Sequence, residues 1–120
     1  MTTVNFETAI ASTLQTVCPR IFPDVAPEGT PEPYLVWKLY GGRAIRYTED
    51  EMPDRRNNQL EVSIWSPSRS ECNTLMQQVE LALMAAPQLQ SRAITELYTA
   101  YDEDTALRGV VQDFDVWGPR

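Results

Sequence analysis

Proline placement constrains this sequence more than any other feature. Five of the nine prolines, Pro19, Pro23, Pro27, Pro31 and Pro33, fall within residues 19–33. Proline holds φ near about −65° and removes a backbone donor, so this stretch suits neither a helix nor an interior strand. It is predicted to run as an extended crossing over the surface, with Ile21, Phe22 and Val25 tacking it onto the core. The regular elements therefore have to come from what lies on either side.

Before the crossing, Phe6, Ile10, Leu14 and Val17 recur at the spacing of one helical stripe. Asn5 is placed to cap that helix and Pro19 stops it. After the crossing, Tyr34 to Tyr40 reads as a strand, with Leu35, Trp37 and Leu39 alternating against Tyr34, Val36, Lys38 and Tyr40. Both of its faces carry bulk, so both are expected to be covered, one by helices. Gly41-Gly42 ends it.

Residues 41–58 form a long connection with four arginines, Arg43, Arg46, Arg55 and Arg56, and four acids, Glu49, Asp50, Glu51 and Asp54. Loops of this length inside a compact domain are uncommon and tend to be functional or disordered. Two readings stand: a solvated hairpin tip, or an arm that orders when it meets a partner. Gln59 to Trp65 is the second predicted strand, with Leu60, Val62 and Ile64 on one face. Ser68-Arg69-Ser70-Glu71 matches a capping box, in which Ser and Glu satisfy each other's amides. The helix it opens carries Cys72, Leu75, Met76, Val79 and Leu83 as a buried stripe and stops before Pro87.

Ala93 to Tyr101 and Leu107 to Trp117 are predicted to form a closing β-hairpin around the acidic turn Asp102-Glu103-Asp104-Thr105. In its last strand Val110, Gln112, Phe114 and Val116 share one face, and Val111, Asp113, Asp115 and Trp117 the other. These elements define an α+β class: a two-layer domain with a roughly four-stranded, mostly antiparallel sheet. Two helices cover one sheet face, and a long charged hairpin arm projects from it. One domain, residues 1–120, accounts for the length. At 13.6 kDa the accessible surface is expected to fall from about 20,000 Å² to roughly 6,600 Å² on folding, enough for a core without metals or disulfides.

Composition excludes several functions. Ten basic residues against seventeen acidic ones give −7, and Lys38 is the sole lysine. A protein that grips nucleic acid neutralises phosphates with a basic surface, so a dedicated DNA or RNA reader is not expected. There is no histidine, hence neither the commonest general base nor the commonest metal ligand. Cys18 and Cys72 lie far apart with no CxxC and are expected to be reduced and buried. No apolar run approaches the ~18 residues of a membrane span, and Met1 to Phe6 is too polar for a secretion signal. No nucleophile elbow, phosphate-binding loop or dinucleotide fingerprint occurs, and neither acidic cluster has the spacing of a calcium loop. No catalytic residue, metal site or cofactor is therefore expected.

Charge placement is more informative. Residues 96–115 hold Glu96, Asp102, Glu103, Asp104, Asp113 and Asp115 against Arg108 alone, so the closing hairpin is expected to be one acidic surface. The arm is balanced, which suits complementary pairing with a partner. The edges of an open sheet add a further invitation to assemble.

Three stretches together resemble a known family: Arg20-Ile21-Phe22-Pro23-Asp24-Val25-Ala26-Pro27-Glu28-Gly29, then Pro33-Tyr34-Leu35-Val36-Trp37, then Gln59-Leu60-Glu61-Val62-Ser63-Ile64-Trp65 before a capped helix. Tyr101-Asp102-Glu103-Asp104-Thr105 and Gln112-Asp113-Phe114-Asp115-Val116-Trp117 complete the pattern. In this order they resemble the tail-completion proteins of tailed bacteriophages, relatives of the lambda-type tail terminator. The resemblance implies a structural virion protein, assembled in the host bacterial cytoplasm, that forms a homo-oligomeric, hexameric ring at the head-proximal end of the tail tube. Its partners would be the tube protein and the head–tail connector, with DNA passing through the lumen. The arm residues Arg43, Arg46, Glu49, Asp50, Glu51, Asp54, Arg55 and Arg56 would meet a neighbouring subunit or the last tube ring. Asp102, Glu103, Asp104, Asp113 and Asp115 would include lumen-facing acids that repel DNA phosphates. A head-side neck adaptor or stopper of similar fold, or a small-ligand-binding α+β module, are the alternative readings.

Overall fold

The computed structural model describes residues 5–44 and 54–120. Asn5 accepts a 2.8 Å hydrogen bond from the amide of Thr8 and opens α1, Phe6–Gln15. Phe6, Ile10 and Leu14 are fully buried, so the stripe read from the sequence is the stripe that faces the core. The second helix, α2, spans Arg69–Ala85 and buries Cys72, Met76, Val79 and Leu83.

The capping of α2 differs from the expected reciprocal box. Ser68 Oγ does accept from the Glu71 amide at 3.2 Å. The Glu71 carboxylate, however, takes the hydroxyl of Ser66, and Ser66 Oγ accepts the Ser68 amide at 3.1 Å. A third side chain thus relays what the carboxylate was expected to do directly, because Ser66 ends the preceding strand within reach of both.

Both helices lie on one face of a six-stranded mixed sheet, in the order β1-β2-β3-β6-β4 with β5 also paired to β6. The strands are β1 (Ile21–Pro23), β2 (Tyr34–Tyr40), β3 (Arg55–Ser66), β4 (Gln90–Ala93), β5 (Tyr98–Asp102) and β6 (Leu107–Pro119). The two-layer α+β class and the side taken by the helices agree with the sequence; the strand count does not. Two additions account for the difference.

The first is β1, which lies parallel to β2 with Ile21 beside Leu35 and Pro23 beside Trp37. The proline-rich crossing is predicted to be extended and neither helix nor interior strand, which leaves an edge strand open to it. It tolerates three residues of pairing because β1 is an edge strand, where a proline's missing donor costs no ladder bond. Arg20 holds the returning loop: its Nε donates to the carbonyls of Pro31 and Pro33 at 3.0 and 3.1 Å, and its Nη2 to that of Glu32 at 3.2 Å. Ile21 packs against the core as expected, whereas Val25 stands 74% exposed and tacks nothing down.

The second is a break in the closing hairpin. β4 pairs Ala93 with Phe114 and β5 pairs Tyr98 with Val111, so residues 94–97 face only Gln112 and Asp113. Thr95 anchors this bulge, accepting from Gln112 Nε2 at 2.9 Å and, through its hydroxyl, from the Asp113 amide at 3.2 Å. The bulge gives Gln112 its reason for standing in an apolar stripe, at 2% exposure.

The arm is also shorter at its C-terminal end than read from the sequence. β3 begins at Arg55, and Arg55–Asn58 pair with Trp117–Pro119 and Val116 of β6, so these residues belong to the sheet. The connection is residues 41–54, of which 45–53 lie outside the described residues. Leu35, Trp37, Leu60, Val62, Ile64, Val110, Phe114 and Val116 from the sheet close on the helical stripes in one continuous core. Full burial of each such side chain contributes roughly 1.5–3 kcal/mol.

Candidate functional site

Strand alternation that sends the apolar residues to the helices sends a second set the other way. Among the described residues no layer covers this second face. Its rows follow the strand register: Val36, Ser63, Val111 and Tyr98; then Lys38, Glu61 and Asp113; then Tyr40, Gln59, Asp115 and Arg92. Tyr98 is 48% exposed and Tyr40 is 37% exposed, so the face is aromatic as well as charged. The loop after β1 overhangs one end of it. That leaves a cleft of about 480 Å³ between Pro27, Glu28 and Thr30 above and Tyr34, Val36 and Trp65 below. The expectation that both faces of β2 are covered therefore holds on the helical side, while the other side is only partly roofed.

The polar groups of this face are tied into its framework. Lys38 Nζ lies 3.8 Å from Glu61 Oε1, and Arg92 Nε 3.3 Å from Asp115 Oδ2. Gln59 Nε2 donates to the Tyr40 hydroxyl at 2.7 Å. Desolvation, then the charge and hydrogen bond of Asp113, push the Tyr40 phenol up to about 12. Tyr98 is raised too, by desolvation and then by the charges of Asp113 and Glu61. At the far end of the strands Trp65 lies over Gly109, its cross-strand partner. A Cβ on Gly109 would stand 2.6 Å from the ring, so only glycine admits the indole there.

The residues expected to contact partners are placed in several environments. Arg43 is exposed, and its amide donates to Asn57 Oδ1 at 2.7 Å. Arg55 reaches Gln90 Oε1 at 3.3 Å. Arg56 is turned to the helical side, where its guanidinium lies 5.0 Å from the Phe6 ring and 3.8 Å from the Glu7 carboxylate. Arg56 therefore ties β3 to the start of α1. The Asp54 carbonyl accepts the Arg120 amide at 2.9 Å. Arg46, Glu49, Asp50 and Glu51 lie outside the described residues.

The five hairpin acids are divided: Asp102, Asp113 and Asp115 share the open face by strand alternation, Asp102 lining the same cleft as Glu61, whereas Glu103 and Asp104 stand in the turn beyond it. Asp102 closes β5 opposite Leu107, and its Oδ1 accepts the amide of Asp104 in the turn at 3.0 Å. Asp113 and Asp115 sit six and eight residues beyond Leu107, about 20–27 Å along β6 at ~3.4 Å per residue. Asp115 is further held by Asn57 Nδ2 at 2.9 Å.

Asn57 is the residue that sequence reading missed. It is only 7% exposed, and its amide group bonds Asp115, the Val116 carbonyl and the Arg43 amide. It thereby fixes where the 41–54 connection leaves the sheet. A polar residue in an apparent loop carries no signal of this kind until β3 is known to begin at Arg55.

Among the described residues, no group of three or more His, Cys, Asp or Glu side chains is placed to hold a metal. The Cys72 thiol is buried, with Sγ 3.5 Å from the Arg108 carbonyl, and desolvation followed by the Glu71 charge pushes its pKa up. A surface of aromatic and paired charged groups is suited to contact with another macromolecule.

The family model described as tail completion protein gp17 matches residues 7–118, from the first turn of α1 to the end of β6. The chain belongs to this family of bacteriophage tail-completion proteins. Two solved structures share the fold. A chain in the virion of a native gene transfer agent particle matches with a TM-score of 0.63 at 12% identity, covering 97% of this chain and 96% of that one. The gp17 protein of bacteriophage SPP1 matches with a TM-score of 0.54 at 14% identity, covering 91% of this chain and 86% of that one. No curated protein sequence matches the chain. As a tail-completion protein it has a structural role in the virion, and the resemblance stated from its motifs is the family the whole domain fits.

Proposed function

We propose that this tail-completion protein ends the tail by forming a hexameric ring on the last turn of the tube, and that the ring receives the head–tail connector. The observation that carries the reading is the sheet face that no layer of the described residues covers. A monomeric domain gains nothing from leaving Tyr40 and Tyr98 toward solvent, whereas a ring subunit has a neighbour or a lumen on that side. Edge-to-edge strand pairing is a poor route to the ring. One edge strand has three residues and ends in Pro23; the other is interrupted at residues 94–97. Contact through loops and strand ends fits better.

In this reading Asp113, on the open face, is a lumen-facing acid whose charge limits adhesion of passing DNA, while Asp115 is held by Arg92 and Asn57 within the domain. Glu103 and Asp104, exposed in the turn at the sheet's end, are open to a protein contact. The arm from Arg43 to Arg56 contributes to the tube or subunit contact through its outer part, since Arg56 is engaged within the domain. Assembly takes place in the host cytoplasm before head and tail join.

The test is reconstitution. Tube protein polymerised with this protein present is expected to give tubes with a ring of six at one end and a halted length distribution. Deletion of residues 45–53 is expected to leave a folded domain that no longer caps them. Tubes that grow unchanged with the intact protein overturn the terminator reading, and recovery of the protein only on tail-less heads assigns it to the head side of the neck.

A further inference from the structure

The two ends of β6 carry opposite and complementary surfaces. At one end, Met84, Leu89 and Trp117 floor a groove of about 580 Å³, and Arg43 and Arg92 stand on its rim. Among the described residues Asp115 is the one carboxylate lining it, and Arg92 already engages that group at 3.3 Å. The Arg43 guanidinium has no carboxylate partner among the described residues. The Arg92 side chain is 73% exposed and Met84 64% exposed, so both the cationic rim and part of the apolar floor are open.

At the other end, the turn after β5 presents the exposed Glu103 and Asp104 close to Tyr101, which is 54% exposed and has the Arg108 guanidinium 5.2 Å from its ring. An exposed aromatic near two carboxylates is the inverse of an apolar floor beneath two guanidinium groups. Arginine is the side chain best shaped to receive carboxylates in pairs. Leu107 and Trp117 are ten residues apart on one strand, about 34 Å at ~3.4 Å per residue, so a chain cannot bring its own turn to its own groove.

We propose that the Tyr101–Asp104 turn of one copy seats in the Arg43/Arg92 groove of the next, and that this head-to-tail contact joins neighbouring subunits. A contact between two different patches is heterologous, and a heterologous contact closes into a ring when its rotation allows. The inference rests on the ring reading and names its subunit contact. The rim charges remain partly solvated, so the contact weakens with added salt.

A charge swap tests it. Arg43→Glu alone, and Glu103→Lys with Asp104→Lys, are each expected to weaken self-association at least tenfold in sedimentation at low ionic strength. The two variants mixed, or all three changes in one chain, are expected to restore it. Arg43→Glu leaves the Arg92–Asp115 pair intact, and circular dichroism verifies that each variant is folded. Where association is too weak to sediment, Arg43→Cys and Glu103→Cys are mixed under mild oxidation. A disulfide-linked heterodimer exceeding what random collision gives is expected, because the native Cys18 and Cys72 are buried. Random or absent cross-linking, or variants that assemble like the wild type, overturn this contact. If the wild type still caps tubes in that case, the ring reading stands without it; if it neither associates nor caps, both fall.

Discussion

Glu61 and Asp113 face each other directly across β3 and β6, two carboxylates in one cross-strand pair. Lys38, paired to Glu61 in the adjoining strand, offsets one of them, and Asp113 Oδ1 is buried without a hydrogen-bond partner. Like charges directly opposite destabilise a sheet. Asp113→Asn is therefore expected to stabilise the domain by about 0.5 kcal/mol, read from the urea midpoint at neutral pH. The same change removes both contributions by which Asp113 raises the Tyr40 pKa, so absorbance titration is expected to find that phenol ionising earlier.

Alkaline stability follows from the same face. Tyr34, Tyr40 and Tyr98 all have folded pKa values raised above 10.0, Tyr40 to about 12, with desolvation the leading cause in each. Between those values the unfolded chain has lost protons that the folded chain keeps, so stability falls as pH rises. It is fully present below about pH 10 and is lost progressively toward about pH 12. Urea midpoints measured across that interval are expected to drop, and Tyr40→Phe is expected to flatten the drop.

Asn57→Leu removes the bonds to Asp115, Val116 and the Arg43 amide in one step. The expected loss is about 1–3 kcal/mol, since buried backbone groups are left unpaired. Amide exchange at Arg43 is expected to accelerate with it. Gly42, whose Cβ would stand 2.3 Å from the Asn57 carbonyl oxygen, is held to the same spot and is expected to reject alanine.

Gly109→Val places a side chain where the Trp65 ring lies, 2.6 Å from a Cβ position. Overpacking of this kind costs about 1–3 kcal/mol. A red shift in tryptophan emission is expected as the indole is displaced toward water.

Ser66→Ala breaks the relay at the start of α2, because Ser66 both receives the Ser68 amide and donates to Glu71. The expected cost is about 1 kcal/mol, typical of a lost helix cap. A thermal melt followed by helix ellipticity checks it. An ordinary capping box, with Glu71 reaching Ser68 directly, would leave the variant unchanged.

The legible part of the chain is the part whose cause is local. The stripes Phe6–Ile10–Leu14 and Cys72–Met76–Val79–Leu83 could be read because a helix repeats its buried side every three or four residues. The alternation of β2 named its own buried face, Leu35 and Trp37, for the same kind of reason. The candidate surface was less legible. Tyr40 and Lys38 stood out as the reverse side of β2, but Asn57 was hidden in what looked like loop. The hairpin acids read as one surface, and Asp102, Asp113 and Asp115 do share the open face, but Asp102 ends β5 well apart from the other two along β6, and Glu103 and Asp104 stand in the turn.

By itself, then, the sequence determined two helices, three of the strand cores, the α+β class and the composition that leaves no room for histidine chemistry. Tertiary structure decided that Ile21–Pro23 would pair with β2, that residues 94–97 would bulge away from β6, and that β3 would extend back to Arg55. It also decided which groups share the open face. Each of those outcomes depends on a hydrogen-bond partner many residues away, and periodicity describes only which way a side chain points along its own element. What stands opposite is set when the strands come together.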